Sequence, residues 1–142
     1  MPELTVLAFD VGSHWIGTAI GQSATGTASP LQAVAVRNYK PDWNTIAALI
    51  KEWRPQRLIV GLPRKMDGQD TDMTRGALRF SRQLEGRFHI KSELIDERLT
   101  TREAWQIVEE NAHGHVTKPD LDNIAAVLIA ETWLTQYHDS EL

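Results

Sequence analysis

The chain predicts a mixed α/β fold, with a five-stranded sheet (three antiparallel strands, then parallel ones) flanked by helices. Three observations carry this. The first third holds three short strand-like runs joined by turn-length connections. From residue 42 onward, helical periodicity alternates with short apolar runs. One of those runs, Arg57 to Gly61, is apolar on both faces, as a central strand must be.

Leu4 to Phe9 forms the first strand and ends at Asp10-Val11-Gly12, a turn in which Gly12 permits a positive φ. Trp15 to Gly21 is the second, with Ile16, Thr18 and Ile20 on one side and Gly17, Ala19 and Gly21 on the other. Gly17 allows a second backbone or a ligand to approach closely. Leu31 to Arg37 completes the antiparallel meander. Asp42 caps a helix that turns Trp43, Ile46, Ala47, Leu49, Ile50 and Trp53 inward and stops at Pro55. After the Arg57 strand, Pro63 to Asp72 is a polar loop. A second helix carries Met73, Ala77, Phe80 and Leu84 and ends near Gly86, and Ile90 to Ile95 is the last strand. Thr100-Thr101-Arg102-Glu103 reads as a capping box opening a third helix. The fourth runs from about Asp122 to Tyr137, with Ile124, Ala125, Leu128, Ile129 and Trp133 inward. No repeat or linker divides the chain, so residues 1–142 are expected to form one domain.

The chain has no cysteine, which excludes disulfides and Cys-based zinc sites. No run approaches the ~20 apolar residues of a membrane helix, and the first residues lack the pattern of a signal peptide. A cytoplasmic protein is expected. The net charge of −4 argues against a generic basic nucleic-acid binder, but the charge is polarised. Residues 51–102 hold 12 of the 15 Lys and Arg against 8 of the 19 acids. Such a middle segment can offer a basic face to a polyanion.

Three acids are placed to converge. Asp10 and Glu97 follow the ends of apolar runs, and in mixed sheets the carboxyl ends of parallel strands frame a cleft. Asp122 lies at the opening of the last helix, on the edge of its buried face, and Ala125 and Ala126 permit close packing on the sheet. Asp120 competes with it, since either residue can be an N-cap. Converging carboxylates repel unless a cation lies between them, and a hard ion such as Mg²⁺ accepts oxygen ligands of this kind. This arrangement points to metal-assisted phosphodiester chemistry. Arg64 and Lys65, in the loop after the central strand, and Arg98, beside Glu97, are candidate phosphate contacts. Each also reads as an ordinary solvated or ion-paired side chain. Asp96 turns to the opposite face if the pleat continues. His14 stands beside the proposed site, while His113 and His115 read as exposed loop residues.

Four segments in order resemble the YqgF family, also called RuvX: Asp10-x-Gly12 with Gly17-x-Ala19; Gly61-Leu62-Pro63 with Asp67-Gly68; Asp96-Glu97-Arg98-Leu99-Thr100-Thr101; and Asp122 with Ala125-Ala126. The resemblance covers about Leu4 to Trp133. It implies a ribonuclease H-like fold and an acidic site at Asp10, Glu97 and Asp122. It also implies nuclease action on the 5′ end of pre-16S ribosomal RNA in ribosome biogenesis. One departure falls between Gly12 and Gly17, where members often carry a basic residue. Here His14 is a pH-dependent substitute.

The expected function is a Mg²⁺-dependent (or Mn²⁺-dependent) endonuclease acting on structured RNA, as a monomer or homodimer. Asp10, Glu97 and Asp122 are its metal ligands, and Arg64, Lys65, Arg98 and His14 are its substrate contacts. A Holliday junction resolvase acting on four-way DNA is the alternative within the same fold. A non-catalytic nucleic-acid-binding factor in ribosome assembly or transcription is the alternative outside enzymology. A nucleotide-binding protein of the actin or sugar-kinase type ranks last, because two such domains are needed to enclose the nucleotide.

Overall fold

The computed structural model describes residues 3–65, 67–97 and 118–141. The strands are β1 (Thr5–Val11), β2 (Trp15–Gln22), β3 (Thr27–Pro30), β4 (Val34–Arg37), β5 (Lys40–Pro41), β6 (Arg57–Leu62) and β7 (Ser92–Asp96). The helices are α1 (Trp43–Trp53), α2 (Asp72–Phe88) and α3 (Lys118–Glu141). The helix expected from Thr100 lies outside the described residues, as do Arg98, His113 and His115. Among the described residues, no helix is long and apolar enough to cross a membrane.

β1 pairs antiparallel with β2 and parallel with β6, which pairs parallel with β7. The mixed sheet is as expected, but it has seven strands rather than five, with β3 and the short β5 added to the expected set. The third strand is not the continuous run from Leu31 to Arg37 but two pieces laid along β2. β3 pairs with its far half and β4 with its near half. Pro30 ends the first piece, since it has no N–H to continue a ladder. Leu31 and Gln32 fill the gap by bonding Thr18, whose carbonyl accepts from the Leu31 N–H at 2.9 Å and whose hydroxyl donates to the Gln32 carbonyl.

The sheet separates two apolar layers. On one face Leu7, Phe9, Ile16, Leu58 and Val60 pack against Ile46 and Leu49 of α1 and Ala77, Phe80 and Leu84 of α2. On the other, Val6, Ala8, Ile59 and Ile95 pack against Ile129, Ala130, Trp133 and Leu134 of α3. Each large side chain so buried contributes roughly 1.5–3 kcal/mol. α1 is capped by Asp42 as expected, but it ends on Arg54 in the left-handed conformation, one residue before Pro55. α2 is capped by Thr71 through a reciprocal pair with Thr74. Thr74 is fully buried and its hydroxyl also donates to the Pro63 carbonyl, so Met73, expected inward, is turned to solvent.

α3 also departs from expectation. It already runs from Lys118, where the described residues resume, rather than from about Asp122. Asp122 is therefore not a cap. The helix crosses β2 on the stripe of Gly17, Ala19 and Gly21. A Cβ on Gly17 would lie 1.9 Å from the Asp122 carbonyl oxygen, so backbone rests on backbone. Asn123 fixes the crossing: its buried Oδ1 accepts from the Thr18 N–H at 2.9 Å, in the gap left by the broken third strand.

Two glycine substitutions of opposite sign follow. Gly17→Ala forces α3 off β2 and lowers stability by about 3 kcal/mol, read from the urea midpoint. Gly86→Ala, on α2 where an added Cβ meets nothing within 4 Å, raises it by roughly 0.5 kcal/mol.

Candidate active site

Strand alternation decides which way each acid faces. Val6 and Ala8 belong to the α3 layer, and Asp10, two residues on, shares their side of β1. Ile95 is buried in the same layer at the end of β7, so Asp96 alternates away from it. Glu97 lies just beyond β7, and its side chain folds back over β6. A Cβ on Gly61 would lie 2.6 Å from the Glu97 Oε1 and 2.5 Å from the Ile129 Cδ1. Gly61 therefore admits the carboxylate into the sheet surface beside α3. The Gly12 turn differs from expectation, because its φ is not positive. Glycine is required there by crowding: a Cβ would stand 2.6 Å from the Trp15 carbonyl oxygen, which accepts from the Gly12 N–H.

Asp10 and Glu97 meet. Burial, the charge of Asp10 and a hydrogen bond to it push the Glu97 carboxyl up to about 8 from an ordinary 4.5, with Asp96 adding repulsion. Two bare carboxylates about 4 Å apart repel by about 4 kcal/mol at a typical protein dielectric. Near neutral pH the pair resolves this by keeping a proton, which Glu97 donates to Asp10.

Asp122 reaches the same region by another route. Its backbone lies on Gly17, and Gly17 is the cross-strand partner of Asp10. Asp122 is buried, whereas Asp120 is exposed. Among the described residues, however, no three Asp, Glu or His side chains are gathered into a ready-made metal cage. The three expected acids thus form a contacting pair with the third beside it, rather than one tight point.

The expected cations are more dispersed. Arg64 is engaged with Asp70, Nε to Oδ1 at 2.9 Å, in a short antiparallel bridge that closes the loop after β6. Lys65 is exposed in that loop, which turns back through Gly68 at φ +90°. His14 is exposed on the β1–β2 turn, its Nδ1 3.0 Å from the Ser13 Oγ. Sequence reasoning missed Asn123. Its signal was an amide placed among Leu121, Ile124, Ala125 and Ala126, a polar group on a face otherwise suited to burial.

An oxygen-only donor set held together by a shared proton suits a hard divalent cation, because an ion can replace the proton and neutralise both charges. Asp10 and Glu97 fit such an ion directly, with Asp122 adjacent.

Known proteins bear on this site. The family described as RuvX, Holliday junction resolvase, matches residues 4–136. A relative from Saccharophagus degradans, named as a candidate pre-16S rRNA nuclease, is 46% identical over 96% of this chain and 97% of its own length. A relative of the same name from Escherichia coli O157:H7 is 44% identical over 93% and 96%. Among solved structures, Thermus thermophilus RuvC bound to a Holliday junction substrate superposes with a TM-score of 0.59 at 12% identity, covering 94% of this chain and 96% of that one. The yeast mitochondrial Holliday junction resolvase gives 0.55 at 13% identity, covering 95% and 82%. At such identities the likeness is one of fold, and the fold is ribonuclease H-like.

The shared proton sets a pH dependence of stability. Glu97 is raised in the folded state, so that state holds a proton the unfolded chain has released between about pH 4.5 and about pH 8. Stability from this group is full below that window and is lost as pH rises through it. In chelator-treated protein the urea midpoint falls across the window. Glu97→Gln, which cannot ionise, flattens the fall, and an unchanged slope in that variant would refute the pairing.

Proposed function

The chain belongs to the RuvX family, and from that premise we propose that it is a divalent-metal-dependent endonuclease that matures the 5′ end of pre-16S ribosomal RNA. The observation that carries the reading is the Asp10–Glu97 pair, which meets across β6 at the carboxyl ends of β1 and β7. The pre-16S substrate is preferred to four-way DNA because relatives of 44–46% identity bear that name, whereas the solved resolvases stand at 12–13%. The chain would act as one nuclease domain, in the cytoplasm where ribosomes are assembled.

Asp10, Glu97 and Asp122 would hold Mg²⁺ or Mn²⁺. A bound divalent ion lowers the pKa of an attacking water and stabilises the leaving oxygen. The chain's own contribution is positional. Gly61 lets the Glu97 carboxylate sit on the sheet, and Asn123 fixes the helix that carries Asp122. Glu97 would hold the ion in its ionised form. Lys65 and His14 are exposed at the same end of the sheet and would meet phosphates. Arg98 would do the same from beside Glu97. Arg64 would contribute mainly by holding the loop through Asp70.

The test is cleavage of precursor rRNA by the purified chain with Mg²⁺ or Mn²⁺. Asp10→Asn lowers the rate by more than the roughly 10–100-fold that loss of an outer partner of a metal costs. Wild-type rates in that variant would dismiss the site. Calorimetry supplies a readout apart from turnover. Mn²⁺ binding at neutral pH releases a proton, so the observed heat varies with the buffer's ionisation enthalpy. Glu97→Gln removes that variation.

A further inference from the structure

A groove of about 400 Å³ opens on the α1/α2 side of the sheet. It begins at Val11 and Gly12, the residues directly after Asp10. Val11 alternates to the opposite side of β1 from Asp10, so the groove and the acids share an end of the sheet but not a face. Its floor is apolar, built from Ile16, Val36 and Phe80. Arg75 and Arg79 form one wall, four residues apart and both exposed on the same face of α2. Tyr39 forms the other.

Tyr39 is the unusual member. It is 91% exposed, the most exposed large hydrophobic residue among those described. It sits at the tip of the β4–β5 hairpin, where Asn38 and Tyr39 both adopt left-handed backbone, at φ 51° and 63°. Asparagine tolerates that conformation, but tyrosine is disfavoured there. Neither burial nor turn chemistry explains a tyrosine at this position. Met73, 40% exposed, extends the apolar lining at the start of α2. Asp72 offsets part of the positive charge through its ion pair with Arg75, which leaves Arg79 as the wall's uncompensated cation among the groove-lining residues.

We infer that this groove seats a single-stranded segment of RNA flanking the cleavage point, with a base stacked on Tyr39 and phosphates on Arg79 and Arg75. The pairing of an exposed aromatic with arginines along an apolar trough is what strand binding without base reading requires. Arginine supplies the forked donors that phosphate accepts. Continuity with the Asp10 turn lets one strand pass around the end of the sheet from groove to acids. The inference rests on the nuclease reading, but it concerns the opposite face of the sheet and is tested separately.

The experiment uses the full chain carrying Asp10→Asn, so that turnover does not interfere, and follows a fluorescent single-stranded oligoribonucleotide by anisotropy. Tyr39→Ala weakens binding about tenfold, while Tyr39→Phe retains it because stacking survives. Arg79→Ala weakens binding and lowers the slope of log affinity against log salt by about 0.7, the value for one single-strand phosphate contact. Arg57→Ala, at the other end of the sheet and paired with Glu93, changes nothing. Unaltered affinity in Tyr39→Ala overturns the proposal, even if precursor cleavage is established. If Tyr39→Ala leaves RNA affinity intact but reduces self-association in sedimentation, the groove is a protein interface and the proposal is again overturned. If the unmodified chain cuts no RNA yet its binding depends on Tyr39, the nuclease reading fails and the groove assignment stands.

Discussion

The close approach of α3 to β2 is the constraint on which the rest depends. It is possible only because residue 17 has no side chain, since a single carbon there would overlap the Asp122 carbonyl. The contact sets the depth at which the helix lies, and with it the positions of Ile129, Trp133 and Leu134 in their apolar layer. It also brings Asp122 beside the strand pair that carries Asp10. Gly61 plays the matching part on β6, where an absent side chain leaves room for both Ile129 and the Glu97 carboxylate. Two missing side chains thus set the spacing of three acids. Asn123 then converts proximity into a fixed crossing, because a buried amide given to a strand N–H has one satisfactory geometry.

The features legible in the sequence were those with local causes. The α1 cap at Asp42 and the inward turn of Ile46 and Leu49 follow from spacing alone, and so does the small-residue stripe of β2, whereas Ala47, expected inward, is exposed. The facing of Asp10 and Asp96 follows from strand alternation. Elsewhere a distant partner decided the outcome. Met73 fits the inward period of α2, but Thr74 takes the buried place because Pro63 offers it a carbonyl. Asp122 resembles a cap because capping is the commonest use of an Asp near a helix start. The helix is instead already running four residues earlier, and Asp122 is drawn into the interior. The apolar neighbours of Asn123 mark it as a buried amide, but nothing local names its partner, since Thr18 lies 105 residues away. Glycine was expected at position 12 for a positive φ, but it serves there to admit the Trp15 carbonyl.

The sheet also works as a partition. Successive residues of β1 serve opposite sides: Asp10 belongs to the acidic pair, and Val11 to the groove between α2 and the β4–β5 hairpin. A chain of net charge −4 can in this way hold its carboxylates in one place and present arginines in another. The shared proton of Asp10 and Glu97 fits the same division. It keeps that face tolerable at neutral pH without drawing on the cations of the far face.

The broken third strand has a consequence for colloidal behaviour. An open sheet edge is a template on which a second molecule can add a strand, and a long flat edge is the usual start of aggregation. Here that edge is divided into Thr27–Pro30 and Val34–Arg37, and beyond the latter lies only Lys40–Pro41. Each piece is too short to recruit a partner, and two of them end in proline, which offers no donor. Lys40 places a charge where an incoming strand would have to lie. The interruption that frees Thr18 for Asn123 therefore also guards this edge of the sheet against self-association.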